Sequence, residues 1–128
     1  MEANGANISV SSGHYLVSMN LNTQTYSMEA VDVWGLVGSA TANGWDGPND
    51  KFMPDFGIME GYYYLSGAEL VDGEIKVRQN DAWGLNYGDD GNDGLMEVNG
   101  ANIPVSAGTY NIILNMAANP PTIEMYQW

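Results

Sequence analysis

The feature that most constrains this chain is that it contains part of itself twice. Residues 4–29 read NGANISVSSGHYLVSMNLNTQTYSME, and residues 99–124 read NGANIPVSAGTYNIILNMAANPPTIE. At a constant offset of 95 and without a gap, 11 of these 26 positions are identical. The apolar positions also agree in kind, Tyr15, Val17 and Met19 matching Tyr110, Ile112 and Leu114. A segment repeated at this spacing is a supersecondary unit used more than once. Trp34 follows Glu29 by five residues and Trp128 follows Glu124 by four, so one complete unit is expected over residues 33–128. Residues 1–32 then have two readings. They are the tail of an upstream repeat, or an assembly segment that pairs with an exposed strand edge of another molecule, since unpaired edges recruit partners.

The repeated material is β in character. Turn marks are dense: Asn43-Gly44, Asp46-Gly47, Asp72-Gly73, Asp90-Gly91 and Asn99-Gly100. Between them lie runs of period two. In residues 110–116, Tyr110, Ile112, Leu114 and Met116 share a face, and Asn111 and Asn115 share the other. In residues 74–78, Ile75 and Val77 oppose Glu74, Lys76 and Arg78. No 11-residue window carries a helical stripe. The pattern predicts an all-β, antiparallel sandwich.

Charge removes whole classes of partner. Three basic residues stand against 16 acidic ones, a net charge of −13. Nucleic acid and anionic membrane both require a basic face, which this chain cannot build. No apolar run reaches the roughly 18 residues of a membrane helix, so direct membrane insertion is not expected. With no cysteine there is no disulfide, no thiolate metal site and no cysteine nucleophile. His14 is the only histidine, and Thr109 stands at the matching repeat position, so His14 reads as a surface strand residue.

The candidate site rests on aromatics placed where a core would not use them. Trp45 lies between Asn43-Gly44 and Asp46-Gly47, on a turn, and Trp83 follows a strand and precedes a glycine-rich loop. Sugar rings have apolar C–H faces and polar rims, and a flat indole supplies apolar contact at little conformational cost. Two of the three cations, Lys76 and Arg78, share a strand face leading to Trp83. They read as donors to sugar hydroxyls, or as partners of Glu74 and the acidic loop. Asn86, Tyr87 and Asn102 are weaker ligand candidates in the neighbouring loops. Tyr62, Tyr63 and Tyr64 must alternate across a sheet, and Trp34, with Leu36 next on its face, reads as core.

Two other chemistries fit the sequence less well. Asp89, Asp90 and Asp93 concentrate oxygen ligands, but Gly100 stands where an EF-hand loop needs its terminal acid, leaving only a looser calcium site there. Asp46, Asn49 and Asp50 form a second acidic turn of that kind. Glycoside hydrolysis needs two carboxylates across a cleft, and a sandwich this small with short loops has little material for one. No enzyme activity and no cofactor are expected.

Three segments in one order, WGLVGSATANGW (34–45), EIKVRQNDAWGLNYGDDGNDG (74–94) and NGANIPVSAGTYNIILNM (99–116), resemble the repeated domains of SusE/SusF-type outer-membrane starch-binding lipoproteins of the Bacteroidetes. The resemblance spans about residues 33–126. It implies an immunoglobulin-like sandwich, non-catalytic, binding starch or another α-glucan at the cell surface. On motif position, Trp45 and Trp83 match the family's two aromatic platform residues.

Overall fold

The computed structural model describes residues 15–20, 22–30, 32–47, 49–55 and 59–128. His14 and most of the first repeat's opening segment lie outside them. The chain divides between Val33 and Trp34 into two units.

In the first unit, β1 (Tyr15–Asn20) and β2 (Thr25–Ala30) form an antiparallel hairpin, with Tyr15 opposite Ala30 and Asn20 opposite Thr25. Its turn is set by Asn20, whose Oδ1 accepts from the backbone N–H groups of Asn22 (3.0 Å) and Thr23 (3.3 Å). A short polar side chain that satisfies the next two amides is the ordinary chemistry of such a turn.

The second unit holds β3 (Trp34–Val37), β4 (Asp50–Lys51), β5 (Met53–Pro54), β6 (Tyr62–Leu70), β7 (Gly73–Gln79), β8 (Asn86–Gly88), β9 (Glu97–Val98), β10 (Ile103–Val105), β11 (Gly108–Asn115) and β12 (Thr122–Gln127). One sheet runs β4-β3-β7-β8-β9, with β10 also paired to β7; the other runs β12-β11-β6-β5. Every pairing is antiparallel. The unit is an all-β sandwich of two packed antiparallel sheets. Among the described residues no helix is long and apolar enough to cross a membrane.

The core follows the period-two reading. Trp34, Leu36, Ile75, Val77 and Ile103 enter it from the first sheet, and Ala68, Leu70, Ile112, Leu114 and Ile123 from the second. Ile75, Val77, Ile112 and Leu114 are fully enclosed, and each such side chain contributes about 1.5–3 kcal/mol. Tyr63 packs against this core, while Tyr62 and Tyr64 stack on each other across the opposite face, 6.5 Å apart. Alternation places them so, because neighbours on a strand cannot share a face.

The second copy of the repeat becomes β11–β12, and Asn115 repeats the role of Asn20. Its Oδ1 accepts from Ala117 N–H (3.1 Å) and Ala118 N–H (3.2 Å). The gapless sequence match does not survive beyond that turn. Asn20 faces Thr25 whereas Asn115 faces Thr122, so the second turn is longer by two residues. Glu29 and Glu124, aligned in sequence, sit two register positions apart. A shift of two keeps every residue on its own face, whereas a shift of one would invert the strand.

Candidate functional site

The site is built on the outward face of β7. Gly35 of β3 is register-paired with Arg78 on one side and with Lys51 of β4 on the other, so both cations project from the same sheet face. Lys76, two residues before Arg78, shares it. All three basic residues of the chain therefore meet on one face of one sheet. Lys51 escaped the sequence reading because its place depends on cross-strand register, which no local pattern encodes.

Two loops close over this row. The first runs from Gly38 to Asn49 and is folded tightly: Gly38 N–H donates to Gly44 O (3.2 Å), and Thr41 Oγ1 donates to Gly38 O (2.8 Å). It carries Trp45. The second turns at Asn80 and Asp81, both at φ +56°, a conformation Asn and Asp tolerate better than most residues. It carries Trp83. The two indoles come together with ring centroids 6.0 Å apart and planes inclined at 40°. Trp83 is 44% exposed and Trp45 half-buried.

Arg78 joins the loops. Its Nε donates to Asn49 Oδ1 (2.8 Å), its Nη2 donates to the Asp46 carbonyl (3.4 Å), and its guanidinium carbon lies 4.8 Å from the Trp83 ring centroid. The side chain is 3% exposed. Such a cation under an aromatic face contributes about 0.5–2 kcal/mol. The approach requires two glycines. A Cβ at Gly47 would stand 2.9 Å from Arg78 Nη2, and Gly47 also sits at φ +84°; a Cβ at Gly35 would stand 3.0 Å from that of Asn49.

Arg78 is thus a pin beneath the rings rather than a donor held out to solvent. The alternative pairing with Glu74 is also not what forms, because the guanidinium is engaged at the other end of the strand. Lys51 adds a second tie, donating to the Asn49 carbonyl (2.9 Å) and pairing with Asp81 of the Trp83 loop. Asp46 and Asn49, read from sequence as an acidic turn able to hold a cation, direct oxygens at this guanidinium.

The remaining expected residues separate. Asn86 is buried beneath the Trp83 loop, its Nδ2 donating to Trp83 O (3.1 Å) and Asn99 Oδ1 (3.0 Å). It positions the loop. Tyr87, opposite Val77, packs on the core side against Trp34, ring centroids 5.7 Å apart, and does not join the platform. Asn102 is exposed and donates to Glu74 Oε1 (3.4 Å), four residues along β7 from Arg78, or roughly 13 Å. Lys76 is half-buried, and that burial holds its ammonium below the usual lysine range, with Asp90 partly offsetting it.

The Asp89–Asp93 segment uses its carboxylates on the backbone. Asp89, buried, accepts from Asp93 N–H (3.1 Å) and Gly94 N–H (2.8 Å); Asp90 accepts from Ala101 N–H (2.8 Å); Asp93 accepts from Leu95 N–H (3.0 Å). Among the described residues no group of three or more acidic or histidine side chains converges as a metal ion would need.

What the fold and this face define is a β-sandwich that carries a pinned pair of tryptophans on the outside of one sheet. No protein family matches the chain, and neither a curated protein nor a solved structure matches it.

Proposed function

We propose that the second unit is a non-catalytic carbohydrate-binding module that takes an α-glucan chain on Trp45 and Trp83. The observation that carries this reading is the indole pair itself. Two aromatic rings 6.0 Å apart, Trp83 exposed over a buried cation and Trp45 half-buried beside it, offer apolar faces to successive sugars without having to be ordered on binding. The inclination of 40° favours a ligand that turns between residues, as an α-linked chain does, over a straight ribbon that would lie flat on coplanar rings. Lys76, half-buried two residues along β7 from Arg78, and the polar groups of both loops supply hydroxyl partners. The resemblance to SusE/SusF-type domains points to the same ligand, to an immunoglobulin-like form of the sandwich, and to an outer cell surface as the place of action.

Calorimetric titration with maltoheptaose tests it. We expect saturable binding that falls at least tenfold in Trp83→Ala, with the sandwich still folded and destabilised by no more than the lost contact with Arg78, about 0.5–2 kcal/mol. Equal affinity in that variant would place the site elsewhere. Preference for a cello-oligosaccharide of the same length would keep the platform and reject the α-glucan.

A further inference from the structure

The two copies of the repeated hairpin differ in the strand pairings that the described residues make. β11 is paired on both edges, with β12 on one and β6 on the other. Among the described residues β1 is paired only with β2. Among the described residues no strand takes on β1 the edge that β6 takes on β11. The consequence shows at equivalent positions: Ile112 is fully enclosed, whereas Val17, its counterpart at offset 95, is 53% exposed. Asn115 sets its turn and also donates through Nδ2 to Tyr62 Oη on β6 (3.1 Å). Asn20 sets the equivalent turn.

We propose that this edge of β1 pairs with β6 of a second copy of this chain, the β1–β2 hairpin of one molecule displacing β11–β12 from its place in the other. The register is dictated by the pairing β6 already makes. Ile112 faces Leu65, Ile113 faces Tyr64, Leu114 faces Tyr63 and Asn115 faces Tyr62. Val17, Ser18, Met19 and Asn20 take those positions. Three of the four substitutions keep size and chemistry or are identities, so the incoming strand matches the pairing that β6 already makes. One difference opposes it. Asn111 Oδ1 receives Ser66 Oγ–H, Gly67 N–H and Trp128 Nε1–H at the bulge where β6 departs from regular pairing. Leu16 stands at the matching position and accepts none of them, so a molecule's own β11 holds the slot more firmly than an incoming β1.

A disulfide trap in this cysteine-free chain reads the exchange. Ser18→Cys combined with Tyr64→Cys should give covalent dimers on non-reducing gels, in a proportion that rises with protein concentration. Adding Leu16→Asn, which restores the acceptor, should raise that proportion several-fold. Absence of dimers, or indifference to Leu16→Asn, overturns the proposal. Dimers from Ser18→Cys alone would overturn it differently, because two β1 edges would then be joining each other. Glycan binding by Trp83 is measured separately, so neither result decides the other.

Discussion

β1–β2 and β11–β12 begin from nearly the same sequence and end as different objects. Both turn at an asparagine that satisfies the next amides, and both pair antiparallel with the same first partner, Thr25 or Thr122. Among the described residues only the second hairpin has a third strand paired beside it. The local interactions that shape the turn are common to both copies; the enclosure of Ile112 is not shared by Val17. An isolated two-stranded hairpin is marginal in water, and what converts this one into part of a core is the neighbour, not the residues.

That contrast can be tested by making equal changes in both copies. The largest effect is expected from an aspartate at the central apolar position. Ile112→Asp places a charge in an enclosed site and should destabilise the sandwich by more than about 4 kcal/mol. Val17→Asp should shift it by no more than about 0.5 kcal/mol. Thermal unfolding followed by tryptophan fluorescence distinguishes them, since all four tryptophans lie in residues 34–128. If Val17→Asp unfolds the sandwich, the hairpin is integral to it and the contrast fails.

A smaller effect is expected at the turn. Asn115→Ala removes the one oxygen that accepts from two backbone N–H groups, and the bond to Tyr62, a loss of about 1–2 kcal/mol. Asn20→Ala should leave the sandwich midpoint unchanged and speed hydrogen exchange at Asn22 and Thr23. Equal loss of stability from both would mean that the turn alone, and not the bond to β6, carries the energy. The smallest effect is expected from removing residues 1–33. Among the described residues every member of the core cluster lies at or beyond Trp34, so the midpoint should not move.

Much of the architecture was legible because alternation and turn chemistry act over a few residues. Ile75, Val77, Ile112 and Leu114 could be placed in the core from period two alone, and Trp34 from its spacing to Leu36. Tyr63 could be set apart from Tyr62 and Tyr64 by the same rule. The two indoles were recognisable as loop residues from the Gly-rich turns around them. Other site readings failed for a shared reason. Arg78 looked like an exposed donor, Tyr87 like a loop residue and Asn102 like a neighbour of Trp83. Each depends on what lies across a strand or above a sheet face.

Composition and patterning by themselves determined an acidic, cysteine-free, antiparallel β protein with an internal repeat and two tryptophans on turns. Those properties follow from short-range geometry and from net charge, which need no folded context. Tertiary structure alone decided that Lys51, through Gly35, joins Arg78 and Lys76, that the guanidinium sits beneath Trp83, and that the indoles meet at 40°. It also decided that Ile112 is enclosed where Val17 is not. These are matters of register and of which strand lies alongside, set by contacts between residues tens of positions apart.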